Sequence, residues 1–290
     1  MLLEELFQVC WDEYWNQERF ILSGHANEVR AKFNNHIKPI FGQIDYLKIT
    51  RSQVREWHRK FIKMPTTGNR CKEVLSRLYS FAMEKELNES GYNPCKGVRK
   101  FTEKRRKRYA TEMELKRIGD ILDRMHRDFP VEITFIFALF YSGSRPRALE
   151  RAVWNELQEI GDGTGVLTFS GKSTQSTGDD ESVLLTPNIM DMIKTLPKRS
   201  DNRIFGIKSP TYLWRLIRKE AGCPDIWLRD SRRTFATVGF SNGVNVGTVG
   251  KLLNHHSPAS TDRYAQLNRV ANLEAVDKIK NKFDSIFGKK

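Results

Sequence analysis

The chain has 290 residues, enough for two domains of ordinary size with a core each. Its apolar fraction of 39% and aromatic fraction of 11% exclude a disordered chain, and no apolar run approaches the roughly 20 residues that span a bilayer. A formal net charge of +14 points to a polyanionic partner, with an anionic membrane surface or a merely well-solvated exterior as the alternatives.

The N-terminal stretch MLLEELFQVCWDEYW carries acids inside its apolar run, unlike a signal peptide. Residues 28–62 read as a basic segment, a turn at Pro39 and Gly42, and a helix capped by Thr50 or Ser52. A further helix follows, with Val74, Leu75, Leu78 and Ala82 at helical spacing, which leaves Arg70, Lys72 and Arg77 free to face solvent or phosphate. NESGYNPCKGVRKF then breaks the pattern with glycine, proline and asparagine. The run KFTEKRRKRYAT reads as a basic interdomain linker over 101–110 in which Lys104, Arg105, Arg106 and Lys107 contact phosphate.

A capping box, Thr111-x-x-Glu114, opens the next helix, with Leu115, Ile118, Leu122 and Met125 along one face. VEITFIFALFYSGSR is apolar nearly all round and predicts a buried helix ending near Gly143. Two short strands, Val166–Phe169 and Val183–Leu185, flank a polar loop. Thr186-Pro187 and Ser209-Pro210 each supply an N-cap followed by proline at the first helical position. DSRRTFATVGFSNG is a helix closed by Asn242-Gly243, and VGTVGKLLNHH is another. Trp154, Trp214 and Trp227 read as core or interface aromatics. The fold class is mainly α with a small β-hairpin, organised as a helical region 1–100, the linker 101–110 and an α+β domain 111–290.

Cys10, Cys71, Cys95 and Cys223 form no C-x-x-C pair, and the six histidines do not cluster with cysteines or carboxylates. No metal site or cofactor is indicated, and this cysteine usage fits a reducing cytoplasm. Phosphodiester cleavage by a protein nucleophile, without a metal, needs arginines to clamp the non-bridging oxygens, a proton acceptor for the attacking hydroxyl and a donor for the leaving alkoxide. Suitable groups occur at Arg145 in YSGSRPRALE, Lys172 in SGKSTQ, Arg232 in LRDSRRTFAT, and His255 and Tyr264 in LLNHHSPASTDRYAQL.

At these positions the sequence resembles the tyrosine recombinase (phage integrase) family. The G-x-R box matches Gly143-Ser144-Arg145, the R-H-T-F-A-T box matches residues 232–237, and the L-L-G-H box matches Leu252-Leu253-Asn254-His255. The nucleophile position, nine residues after that histidine, matches Tyr264. NHIKPIFGQIDYLKIT and NRCKEVLSRLYSFAMEKELNESGYNPCKGV look like the SAM-like core-binding domain of prophage and genomic-island integrases.

The resemblance implies a two-domain, C-shaped clamp on double-stranded DNA attachment sites. It implies that Arg145 and Arg232 hold the scissile phosphate, Lys172 protonates the leaving 5′ oxygen, His255 assists proton transfer and Tyr264 forms a 3′-phosphotyrosyl link. It also implies a homo-tetramer on DNA, accessory DNA-bending or directionality factors, no membrane partner, and a cytoplasmic, nucleoid-associated protein. Many relatives carry an N-terminal arm-binding domain; none is read before the core-binding region. In the tail, Val270, Leu273, Val276, Ile279 and Phe283 have helical spacing suited to docking on the same or a neighbouring protomer.

Three positions depart from the family pattern. Arg229 stands where histidine is usual; it donates to a phosphate oxygen but cannot serve as a base near neutral pH. Ala148 stands where glutamate is common, and Glu150 lies on another side of the helix. Asn254 replaces a glycine, which a left-handed backbone accommodates. His256 is one residue off the spacing expected of the proton partner. Arg233 is a phosphate contact or an exposed helix cation. The competing functions are a non-catalytic DNA-binding protein on a decayed recombinase scaffold and a type IB topoisomerase, which shares the chemistry.

Overall fold

The structure is a computed structural model that describes residues 1–17, 20–21, 24–104, 106–169, 181–208 and 210–254. The chain divides into two units, Met1–Arg106 and Lys107–Lys290, each with its own hydrophobic core.

In the first unit, α1 (Leu3–Cys10) buries Leu3, Leu6, Phe7 and Cys10, and continues through a wide π-type turn over Trp11–Trp15. Helix α2 (His25–Lys32) runs through a second such turn, Phe33–Ile37, into α3 (Lys38–Phe41). The expected turn at Pro39 is therefore absent. Pro39 lies directly after the π-type turn, whose wider winding accommodates its missing N–H, and the chain turns only at Gly42. Thr50, not Ser52, caps α4 (Arg51–Arg59). Its hydroxyl accepts from Gln53 N at 3.3 Å while Gln53 Oε1 accepts from Thr50 N at 2.8 Å. Helix α5 (Pro65–Glu84) buries Cys71, Val74, Leu75, Leu78, Tyr79 and Ala82 in the same core as Trp15, Phe33 and Phe41.

Lys72 corrects an expectation. It lies three and seven residues before Leu75 and Tyr79, on the packed side of α5. Only 8% exposed, it donates from Nζ to Val98 O at 2.6 Å, so it does not face a DNA phosphate. Buried Asn69 completes the strap: its Nδ2 donates to Phe101 O at 2.9 Å and its Oδ1 accepts from Phe101 N at 2.9 Å. The His58 ring stacks on Phe101 with centroids 4.2 Å apart. Residues 98–101 are thus bound to α5 rather than running free.

The second unit opens with α6 (Glu112–Met125) and the expected capping box. Thr111 Oγ1 accepts from Glu114 N at 3.3 Å, and Glu114 Oε2 accepts from Thr111 N at 2.8 Å. Helix α7 (Pro130–Ser142) is the central buried helix, ended by Gly143 at φ 64°. Helix α8 (Pro146–Arg151) follows. An antiparallel sheet then forms in the order β1 (Leu157–Glu159), β2 (Gly165–Phe169), β3 (Glu181–Leu185). Leu167 of β2 pairs with both Leu157 and Val183, and its face enters the core with Phe169, Val183 and Leu185. The two strands expected from sequence are β2 and β3. Strand β1 is an addition, three residues long and largely exposed, too short to show an alternating pattern.

Helices α9 (Pro187–Lys194), α10 (Thr211–Glu220), α11 (Asp230–Ser241) and α12 (Val246–Leu252) complete the described unit. Pro210 occupies the N-cap of α10 rather than its first helical position; Ser209 lies outside the described residues. Trp214 is buried and donates from Nε1 to Ile226 O at 3.0 Å, Trp154 is half-buried, and Trp227 is 43% exposed. The tail read as a helix lies outside the described residues. Among the described residues no helix is long and apolar enough to cross a membrane.

His58 is 3% exposed and its Nε2 has no hydrogen-bond partner. Burial, reinforced by the Lys72 charge, holds its pKa below the ordinary 6.5. The unfolded chain takes up a proton at this residue below that pH, whereas the folded unit resists it. His58 therefore stabilises the fold fully above pH 6.5 and progressively less as pH falls. His58→Phe, which keeps the stack on Phe101, should flatten the fall in thermal midpoint measured by circular dichroism from about pH 7.5 to 5.

Candidate functional site

The end of α7 is the foundation of the site. Ser142 Oγ donates to Ala138 O at 2.6 Å and accepts from Ser144 N at 3.2 Å, which fixes the sharp exit of the chain. Gly143 is required there twice over. Its φ is positive, and a Cβ would lie 2.7 Å from Leu253 Cδ2 and 2.7 Å from Phe235 Cδ1. Two residues on, Arg145 is the N-cap of α8 in an extended conformation, with its side chain exposed.

Arg232 projects from the first turn of α11, half-buried. Its Nη1 donates to Gly143 O at 3.1 Å, and its Nη2 donates to Leu253 O. These carbonyls belong to the C-caps of α7 and α12, where backbone acceptors lack helical partners and the helix dipoles are negative. One guanidinium thus gathers Gly143, the start of α11 and the end of α12 at Leu253. Asn254 adds the hairpin: at φ 49° it takes up the left-handed backbone that asparagine tolerates, and its Nδ2 donates to Ser182 O of β3 at 2.6 Å. A glycine at this position would lack that bond.

Arg229 is exposed with its guanidinium 4.3 Å from the centroid of the Trp227 indole, a cation–π contact three residues before Arg232. Ala148 is buried, so no carboxylate occupies its position, and Glu150 is half-buried elsewhere on α8. Arg233 is half-buried and donates to Arg108 O at 3.4 Å. Lys172, His255, Tyr264 and Arg105 lie outside the described residues, as does His256.

Of the other expected DNA contacts, Lys104 and Lys107 are exposed and Arg106 is half-buried. Arg70 is exposed and pairs with Glu73 at 2.7 Å. Arg77 makes a bidentate pair with Glu84 at 2.7 and 3.1 Å and lies 4.1 Å over the Tyr14 ring. Three side chains organise this region in ways the sequence does not announce: Arg108, Thr234 and Asn254. Thr234 and Asn254 lie in segments with a recognisable pattern, and Arg108 lies just upstream of the Thr111–Glu114 capping box, but none of these signals names the partner.

A mainly helical unit with a three-stranded antiparallel sheet, and with Gly143, the start of α11 and Leu253 drawn together at one end, has the fold seen in tyrosine recombinases. No protein-family profile matches the chain. In sequence it is 23% identical over 275 residues to the candidate phiRv2 prophage integrase of Mycobacterium tuberculosis, covering 87% of this chain and 72% of that protein. Among solved structures it is similar to the XerH site-specific recombinase bound to difH DNA after cleavage, with a TM-score of 0.66, 16% identity, and 86% of this chain and 77% of that one covered. The Tn1549 transposon integrase in complex with transposon right end DNA gives a TM-score of 0.68 at 11% identity, covering 97% and 99%. A lambda integrase tetramer bound to a Holliday junction gives 0.62 at 14% identity, covering 91% and 77%.

Gly143→Ala adds both a left-handed backbone penalty and a clash with Leu253 and Phe235. It should lower unfolding free energy in urea by about 2–4 kcal/mol.

Proposed function

We propose that the chain is the site-specific recombinase of a mobile element, an integrase that cleaves and rejoins duplex DNA through a 3′-phosphotyrosyl link. The Tyr264 oxygen attacks the scissile phosphorus, the bond to the 5′ oxygen breaks, and the leaving 5′ hydroxyl takes its proton from Lys172. Arg145, Arg232 and Arg229 neutralise the charge that builds on the non-bridging oxygens, and His255 handles the proton of the attacking phenol. Each cleaved bond is replaced by another phosphoester, so religation needs no ATP. The arginines supply the electrophilic charge that a metal supplies in other phosphoryl transfers.

What supports this reading above all is Arg232 bonded at once to Gly143 and Leu253. That arrangement brings the segment ending in Arg145 beside the segment that leads into His255 and Tyr264. The relatives named above include a candidate prophage integrase, a site-specific recombinase bound to its difH substrate and a transposon integrase in complex with transposon end DNA. The net charge of +14 fits a phosphate backbone as partner. In this reading the substrates are duplex attachment sites, the working form is a tetramer on DNA, and accessory bending or directionality factors choose the direction. The protein resides in the cytoplasm with the nucleoid.

The test is covalent capture. The protein is incubated in EDTA with nicked suicide duplexes of randomised sequence, and SDS-resistant adducts are recovered and sequenced. The expected outcome is an adduct on a defined site that disappears in Tyr264→Phe. An adduct that persists in that variant overturns the nucleophile, and the absence of any adduct leaves a DNA-binding protein on a recombinase scaffold. Binding to a random duplex should weaken steeply with salt as counterions are displaced, and a flat response would contradict a phosphate-tracking interface.

A further inference from the structure

Arg108 ends the most basic run of the chain, KRRKR, and by composition it is one more phosphate ligand. Its surroundings differ from that expectation. Nε donates to Asp225 Oδ2 at 2.7 Å and Nη2 to Asp225 Oδ1 at 3.2 Å, while Nη1 donates to Glu114 Oε2 at 3.0 Å and Nη2 also to Glu114 Oε1. The guanidinium is thus bidentate to two carboxylates, with its side chain 24% exposed and that of Glu114 13% exposed. The two partners hold Arg108 firmly charged, and Arg108 together with the Thr111 bonds pulls Glu114 down to about 2. A cation neutralised twice over within its own unit has little charge left for DNA.

The backbone around Arg108 is also fastened. Arg108 O accepts from Arg233 Nη1 at 3.4 Å, and Ala110 N donates to the buried Thr234 Oγ1 at 2.9 Å. That hydroxyl in turn donates to Asp230 O at 2.9 Å within α11. Asp225 lies four residues before Arg229, in the segment leading into α11, and Asp230 Oδ2 accepts from Trp227 N at 2.8 Å in the same segment. Residues 108–110 therefore hold both the approach to α11 and its first turn, the stretch that carries Arg229 and Arg232.

We infer that Arg108 is a positioning residue: with Glu114 and Asp225 it forms a strut that sets the start of α11, and with it Arg229 and Arg232, rather than binding DNA. The inference deepens the recombinase reading and rests on it for its catalytic consequence. The strut restrains the two arginines by a side-chain pair at Asp225 and backbone bonds at Arg233 and Thr234, so its loss loosens their aim while leaving the exposed cations unchanged. Misplacement of clamp groups by a fraction of an ångström is enough to slow phosphoryl transfer.

The test uses the full chain with Arg108→Ala, Arg108→Lys and Asp225→Asn. Affinity and its salt dependence are measured on a random-sequence 30-bp duplex, about three turns of DNA. Hydrogen exchange is followed at the amides of 226–236, and adduct formation is timed at saturating protein on a suicide duplex recovered by the covalent capture above. Arg108→Ala should leave affinity within about twofold and the salt slope unchanged, speed exchange in 226–236 about tenfold, and slow adduct formation about tenfold. Arg108→Lys should recover part of both losses, and Asp225→Asn should reproduce the faster exchange.

A phosphate ligand behaves oppositely. Arg108→Ala would then lower the salt slope by about one with exchange unchanged, and Asp225→Asn would tighten binding; either result overturns the strut. If the wild type forms no adduct, the recombinase reading fails, while the exchange and salt arms still decide whether Arg108 is a strut.

Discussion

The second unit depends on one guanidinium. Arg232 lies where α7 and α12 end, and both helices terminate in carbonyls without helical partners. A planar cation with five donors in a fixed fork satisfies both at once and complements two negative helix ends. Lysine has the charge but not the fork, so it cannot bridge two acceptors with the same geometry. The glycine beneath it allows the approach, since any Cβ at Gly143 would strike Phe235 and Leu253. Chemistry and packing are inseparable here, because the same bonds that close the fold bring three short segments together.

The distribution of charge repeats this lesson. A net charge of +14 points to a polyanionic partner but does not say which cations would meet it. Lys72 is buried against Val98, Arg77 is bidentate to Glu84, and Arg108 is held between two carboxylates. These three look, in sequence, like the exposed Lys104 and Lys107. Internal pairing diverts part of the positive charge into structure, and the segment between the two units is bound at each end: residues 98–101 to α5 and residues 108–110 to α11.

Several local features were legible because their causes are local. The capping box at Thr111, a cap at Thr50 or Ser52, the end of α7 at Gly143 and the left-handed Asn254 follow from side chains that satisfy or release neighbouring backbone groups. The π-type turn before Pro39 was not legible, since proline reads as a stop unless the preceding turn widens to admit it. Strand β1 was missed because a three-residue strand draws its hydrogen bonds from β2 rather than from its own pattern. Lys72 is subtler: its charge suggests solvent or phosphate, while its helical spacing to Leu75 and Tyr79 places it on the packed side of α5.

By itself the sequence determined the helical class, two of the three strands, the caps of several helices and the basic character of the chain. All of these rest on periodicity, capping and residue type within a few turns of chain. Only the tertiary structure decided that Arg232 joins the ends of α7 and α12, that Asn254 reaches β3, and that Arg108 finds Asp225 across 117 residues of chain. The reason is physical. A guanidinium or amide has no preferred partner until folding brings acceptors within about 3 Å of it and removes competing water.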